Sequence, residues 1–258
     1  MPRSAPVDAL VWRRSDFRES SRVVTLLTRE SGKLTCLAKG AHRPDSPLLG
    51  KLDFLNLLRV ELWNRGETMP LLGRSTLLHE PRGLRRPTRY LCAAHLAGIV
   101  DWAMPDRRSD PALFDLVSGG LTLLERCPED ALALVLAGLE WRVLDAVGVQ
   151  PSLTTCAETG RSLPPASTLA VDPEGRGFLH PDAPGGADRR RAKANAGTLR
   201  LLQLLHETPG RAWPALQVPA PDLRGALALL GRWLGLVLDR PPPLRAAALR
   251  LACNLGHG

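Results

Sequence analysis

Two hydrophobic rhythms divide this chain. From residue 7 to about 80 apolar and polar side chains alternate in short runs broken by turn residues, the period-two pattern of half-buried strands. Five strands are predicted, at Ala9 to Arg14, Ser21 to Thr28, Lys33 to Lys39, Leu52 to Trp63 and Pro70 to His79. Glu30-Ser31-Gly32-Lys33 joins the second and third as a hairpin, with Gly32 free to take a positive φ, and Asn64-Arg65-Gly66-Glu67 joins the last two. After Pro87 the spacing changes to three and four. Asp110 before Pro111 marks a helix start, and Leu113, Phe114, Val117, Leu121 and Leu124 then share one face. A second helix opens at Pro128-Glu129-Asp130, turns Leu132, Val135, Leu136, Leu139 and Val143 inward and stops at Gly148. Further helices fit Asp188 to His206, Asp222 to Leu238 and Leu244 to Leu255.

This is an α+β pattern with a boundary near residue 80. Five strands in about 75 residues with basic loops have the size of an OB-type barrel, a fold that commonly binds single-stranded nucleic acid. The same pattern fits a small barrel with no ligand. Residues 1–80 are therefore expected to form the barrel and 81–258 a helical domain. Within the latter, residues 150–188 are rich in Pro, Gly, Ser and Thr and too long for an ordinary loop, so they are read as an irregular subdomain or a mobile excursion.

Charge narrows the class of partner. The chain carries 34 Lys and Arg against 26 Asp and Glu, a formal charge of +8, which favours an anionic partner. Residues 1–80 hold 13 cations against 9 anions, 81–150 hold 8 against 9, and 151–258 hold 13 against 8. Five cysteines, Cys36, Cys92, Cys127, Cys156 and Cys253, share no framework spacing and argue for a reducing compartment. Cys36, Cys92 and Cys253 lie among apolar neighbours and read as small core residues. The start has no apolar leader and no apolar run approaches 18 residues, so a cytoplasmic protein with no membrane partner is expected.

The stretch after the third strand, Lys39-Gly40-Ala41-His42-Arg43-Pro44, carries the candidate chemistry. Gly40 lets backbone approach a ligand, and cations crowd the strand exit. Arg14, Lys33, Lys39, His42 and Arg43 are the candidate phosphate contacts, against the alternative of a solvated basic surface. Arg13 and Arg14 are adjacent on a strand, so only one of them can join a given face. Arg189-Arg190-Arg191-Ala192-Lys193, at a predicted helix start, is a second candidate patch. Trp12, Phe17 and Trp63 could stack on bases but read first as core, and Trp102, Trp141 and Trp233 read as packing. No phosphate-binding loop ending in Lys-Ser/Thr, no Gly-x-Ser-x-Gly elbow and no His-Glu-x-x-His helix is present, and the six histidines are scattered. A non-enzyme needing no cofactor is the expectation, since a hydrolase would need clustered acidic metal ligands.

Arg18-Glu19-Ser20-Ser21, Leu27-Thr28-Arg29-Glu30-Ser31-Gly32-Lys33 and Ala38-Lys39-Gly40-Ala41 with Arg43 and Ser46 together resemble the amino-terminal signature of the bacterial RecO family of recombination mediators. Pro87-Thr88-Arg89-Tyr90-Leu91 and Gly148-Val149-Gln150-Pro151 ahead of Cys156 extend the resemblance more loosely. It implies an OB barrel that binds single- and double-stranded DNA and anneals complementary strands in the nucleoid. It further implies cooperation with RecR, contact with the acidic tail of single-strand-binding protein, and loading of RecA without nucleotide hydrolysis by this chain. In that family a four-cysteine zinc finger often occupies the position of residues 150–188. Here only Cys156 and His180 remain in register, with Glu158 and Asp182 at unusual spacing, so no metal is expected and Leu153, Leu163, Leu169, Val171 and Phe178 must hold the region. For the tail, the helices Thr88 to Trp102 and Pro111 to Arg126 are candidates, with Arg107, Arg108 or Arg126 as charge partner. Alternatively these arginines only pair with Asp106, Asp110 or Glu129. A reading from another class is a protein-interaction adaptor that has lost DNA affinity and docks partner peptides on its helices.

Overall fold

The computed structural model describes residues 4–65, 68–106, 108–164, 168–188 and 190–254. Gly66 and Glu67 of the last hairpin turn, together with Arg107, Arg189 and His257, lie outside them. Packing divides the chain into two compact units, Met1–Arg85 with Val100–Ser118, and Arg86–Ile99 with Gly119–Gly258.

The first unit is built on a closed five-stranded barrel in the order β1-β2-β3-β5-β4, with β1 at Val7–Phe17, β2 at Ser21–Thr28, β3 at Gly32–Ala38, β4 at Leu57–Arg65 and β5 at Thr68–His79. The meander β1-β2-β3 is antiparallel, β4 pairs with both β1 and β5, and a parallel contact at Leu37 and Leu71 closes the ring. Each of the five strands thus has a paired neighbour on both sides. Val11, Val24, Leu26, Cys36, Leu58 and Val60 fill the interior. The predicted fourth strand begins late, at Leu57 rather than Leu52, because residues 39–56 form successive turns that send Leu48 and Leu52 into the barrel core. Ala9 and Val11 alternate into the barrel core, and a register shift follows between Val11 and Arg13; Leu10 and Trp12 are buried as well, with Trp12 Nε1 donating to Asp101 at 2.9 Å. Burial pushes the Cys36 thiol up to about 12, in keeping with a small apolar core residue.

The helices are α1 (Pro87–Ala103), α2 (Pro111–Arg126), α3 (Leu132–Ala146), α4 (Ala196–Glu207), α5 (Ala220–Leu238) and α6 (Arg245–Asn254). The start of α2 is where the sequence puts it: Asp110 Oδ1 accepts a hydrogen bond of 2.9 Å from the Leu113 amide. In the second unit α3 is the axis, buried along most of its length and packed by α4, α5, α6 and the 3-10 turn Gly210–Ala215. Gly138 allows this: a side chain there would collide with the Trp213 ring. Glu140 on α3 is fully buried and ties His95 of α1 to Arg245 of α6. Arg89, also buried, donates to the Leu124 and Cys127 carbonyls and so satisfies the carboxyl end of α2.

The described residues of 150–188 contribute to a small sheet, β6 (Ser152–Cys156), β8 (Gly177–Leu179), β7 (Leu169–Val171) and β9 (Lys193–Ala194), in that spatial order. Leu169, Val171 and Phe178 are buried as expected, and Phe178 stacks edge-on against Trp233, which also meets Trp141. The helix expected from Asp188 starts eight residues later, at Ala196. β9 pairs with β7 first, and the Asn195 side chain then caps the helix through the Thr198 amide at 2.7 Å. Arg190 to Lys193 therefore lie in a turn and a short strand, not at a helix start.

Candidate nucleic-acid interface

One end of the barrel is formed where the β1–β2 turn meets the segment leaving β3. Arg18 takes the left-handed conformation, φ 55, that reverses the chain between Phe17 and Ser21. The two segments are stitched together by the His42 amide donating to the Ser20 carbonyl at 3.1 Å and the Gly40 amide donating to Ser21 Oγ at 3.4 Å. Gly40 has φ 71, and the Arg43 side chain lies beside the position a Cβ would take there. Local backbone chemistry thus gathers Lys39, His42 and Arg43 beside Phe17 and Arg18.

Phe17 is 40% exposed, with the Arg18 guanidinium carbon 5.2 Å from its ring centre. Lys39 and Arg43 are exposed and carry no ion pair among the described residues. Asp16 Oδ1 accepts from Arg22 Nε at 3.0 Å and lies 2.9 Å from His42 Nε2. The hydrogen bond from Arg22, then that from His42, holds the Asp16 carboxyl below the usual carboxylate range. Arg22 is therefore paired with Asp16, whereas Lys39 and Arg43 keep their charge for solvent or a ligand. An exposed aromatic ring beside unpaired cations offers stacking and phosphate neutralisation together.

Two of the five predicted contacts sit elsewhere. Lys33 is buried, 6% exposed, with its ammonium 3.0 Å from the Asp101 carbonyl, 3.1 Å from Asp101 Oδ1 and 3.2 Å from Asp106. Its charge is consumed within the first unit, so it does not belong with the surface cations. Arg14 is exposed but bound to Asp53 and, at 3.2 Å, to the Leu52 carbonyl. Its neighbour Arg13 pairs with Asp101. Burial pushes the Asp101 carboxyl up, yet hydrogen bonds from Trp12 and Lys33 outweigh it and hold the group below its ordinary range. Trp12 is buried as expected. Phe17, read first as core, is on the surface, and Trp102, read as packing, is 41% exposed. The signal for Phe17 was its place at a strand end directly before the polar run Arg18 to Ser21.

The finger-like region does not fit a zinc ion. Cys156 is buried and its sulfur accepts from the His180 amide at 3.2 Å, while His180 Nδ1 accepts from the Asp182 amide at 3.1 Å. Glu158 is engaged by the Gly185 amide at 3.3 Å and faces Arg191 at 3.9 Å. No group of three potential ligands converges among the described residues, and zinc needs four. Elemental analysis of the purified protein is expected to find no stoichiometric zinc, and a chelator to leave its melting temperature unchanged. About one zinc per chain, lost together with stability in Cys156→Ala, would overturn this.

Arg108, in the connection between α1 and α2, and Arg126, the last residue of α2, are exposed and without ion pairs among the described residues, and Arg107 lies outside them. The carboxylates that could have neutralised them are occupied: Asp106 by Lys33, Asp110 by the start of α2, and Glu129 by Arg86 at 2.6 Å. Among the described residues no helix is long and apolar enough to cross a membrane.

Comparison with known proteins covers nearly the whole chain. The family model described as Recombination protein O N terminal matches residues 3–80, and Recombination protein O C terminal matches residues 84–246. Proteins named DNA repair protein RecO are similar throughout. The one from Chlorobium limicola is 27% identical over 93% of this chain and 95% of its own length. That from Anaeromyxobacter dehalogenans is 31% identical over 96% and 95%. A barrel with a basic, aromatic end, a helical second unit and these two matches converge on one assignment: the chain belongs to the recombination protein O (RecO) family.

Proposed function

We propose that this protein is a non-catalytic mediator of DNA repair and homologous recombination that binds DNA through the barrel end formed by Phe17, Arg18, Lys39, His42 and Arg43. The observation that carries the reading is the pairing of two unneutralised cations, Lys39 and Arg43, with an exposed ring, Phe17, on backbone locked by Gly40 and Arg18. Such a surface holds strands by phosphates and stacks bases without reading their edges, and so suits the annealing of any complementary pair. Within the same reading RecR and the tail of single-strand-binding protein are its partners and RecA loading onto coated DNA is the outcome, in the nucleoid. Arg108 and Arg126 are the cations left available for the acidic tail.

The test is fluorescence anisotropy of a labelled single strand titrated with salt. Affinity is expected to fall linearly in log–log form, with a slope of about −0.7 per neutralised phosphate on single strands. Replacing Lys39 and Arg43 by glutamate should weaken binding to all sequences alike and flatten the slope by about 1.4. A parent-like affinity and slope in the double variant would remove the barrel end from the site. Absence of DNA binding by the parent at low salt would favour the adaptor reading.

A further inference from the structure

The last quarter of this chain is more strongly basic than the barrel. Residues 1–80 hold 13 Lys and Arg against 9 Asp and Glu, residues 81–188 hold 10 against 14, and residues 189–258 hold 11 against 3. That charge is not hidden. Arg190, Lys193, Arg200, Arg224, Arg232 and Arg250 are all exposed.

Two helices present it. On α5 the exposed positions Pro221, Arg224, Ala228, Arg232 and Leu236 follow three- and four-residue steps and form a single outward stripe, opposite the buried Leu227, Leu230 and Leu234. α6 packs on α3 and reaches α5 through side chains at both of its ends. Arg245, its first residue, donates to the Leu227 carbonyl at 2.6 Å, and at its other end Cys253 lies close enough to Arg224 for that charge to act on the thiol. Arg250, one turn before Cys253, faces away from the buried Ala248 and Ala252. Arg224 and Arg250 carry no ion pair among the described residues, and Arg232 is held only by the neutral Pro173 carbonyl. Asp222, the carboxylate nearest in sequence, is turned toward Gly197 at the start of α4.

From this we infer a second polyanion surface on the outward faces of α5 and α6, formed by Arg224, Arg232 and Arg250, that takes duplex DNA by its phosphates; the inference rests on the DNA-binding reading above and assigns a separate surface to the double strand. Two features select the duplex. Both aromatic side chains of residues 189–258, Trp213 and Trp233, are buried, so the surface offers unpaired bases no stacking platform, in contrast to Phe17 on the barrel. Arg224 and Arg232 are eight residues apart on one helix, about 12 Å, which matches the roughly 12 Å between the phosphate rims of the major groove. Between them stands only the small Ala228, so no bulky side chain holds a phosphate rim away from the helix. Duplex DNA is also the denser line of charge, one phosphate for every 1.7 Å or so of axis. The exposed Leu236 at the end of the stripe makes an acidic protein segment with an apolar side chain the competing occupant. Cations strung along a helix rather than gathered round a pocket favour the rod-like polymer.

The experiment uses the full-length chain and compares a labelled duplex with a labelled single strand across a salt series. Arg224→Glu with Arg250→Glu is expected to lower the duplex slope by about 1.8, to leave single-strand binding near the parent value, and to keep the parent melting temperature. Arg224→Lys with Arg250→Lys should retain the parent slope, which separates charge from packing. The inference is overturned if duplex affinity and slope do not change in the glutamate pair, if both DNA forms weaken equally, or if only poly-glutamate or anionic vesicle binding is lost. A parent that binds single strands and no duplex overturns this surface alone. A parent that binds neither form overturns the DNA-binding reading itself.

Discussion

Replacing Glu140 by alanine is expected to cost about 3–5 kcal/mol, a large part of the stability of a typical domain. Glu140 is fully buried and is the counter-charge of its neighbourhood. Arg245 reaches it with Nε at 2.6 Å and Nη2 at 2.9 Å, and His95 Nε2 lies 2.8 Å from Oε1. His95 Nδ1 must donate to the Pro243 carbonyl, 2.7 Å away, because a carbonyl only accepts. Removing the carboxylate strips its partner from the Nε2 side of the buried His95 ring and from the Nε and Nη2 groups of a largely buried guanidinium, and that orphaning is what is expensive. The cost would be read as a shift of the urea midpoint at constant slope. The network also makes an acid-sensitive contribution. Burial pushes the Glu140 carboxyl up, but hydrogen bonds from His95 and Arg245 prevail and hold it below its ordinary value. Its share of stability is thus complete above the unfolded-state pKa of about 4.3 and is lost as pH falls through the lower folded value. Glu140→Gln should therefore lose stability at neutral pH and show a flatter acid profile than the parent. A loss below about 1 kcal/mol in the alanine variant would show the cluster to be dispensable.

The second large effect is expected at Gly32→Ala, at about 2–5 kcal/mol. Gly32 sits at φ 65, where an L side chain costs about 1–2 kcal/mol. A methyl group there would also overlap the Arg108 carbonyl, and overpacking of that kind adds about 1–3 kcal/mol. Lys33 follows and forms a bridge with Asp106, so this turn clamps Asp101, Asp106 and Arg108 to the barrel within the first unit. Gly32→Ala and its companion Lys33→Met should lower the melting temperature yet leave the salt slope of DNA binding unchanged while the protein is folded. A slope reduced by a full unit in folded Lys33→Met would return that lysine to the DNA surface and refute its assignment as a clamp.

The sequence made some of this legible and hid the rest for definable reasons. Alternation exposed all five strands, because strands with one face on a barrel core must alternate, and it gave no sign that Leu10 and Trp12 are buried too, since Asp101, the partner of Trp12, is distant in sequence. Asp110 and Gly148 marked helix ends because capping is local chemistry. The start of α4 was misplaced since the pairing of Lys193 and Ala194 with β7 is long-range and overrides a helical pattern. Site residues followed the same division. Lys39, His42 and Arg43 lie next to Gly40 in sequence and stay together in space. Lys33 looked equivalent, but its partners are Asp101 and Asp106, some seventy positions away, and no local signal announces a carboxylate that distant.

The clamp at Gly32 and Lys33 bears on how the molecule is made. Val7 of β1 pairs with Val60 of β4, so on the ribosome the first three strands form a meander whose outer edge stays open until the fourth has emerged. Even then Lys33 lacks its carboxylates, which arrive with Asp101 and Asp106. At roughly 5–20 residues per second the growing chain spends several seconds with a closed barrel that still lacks the segment holding Lys33. During that interval the barrel is at its least stable and most open to proteolysis or mispairing. The nascent first unit thus gains its full cohesion only when a segment well beyond its last strand has been translated, and a gene fragment ending at codon 80 would encode that vulnerable intermediate permanently.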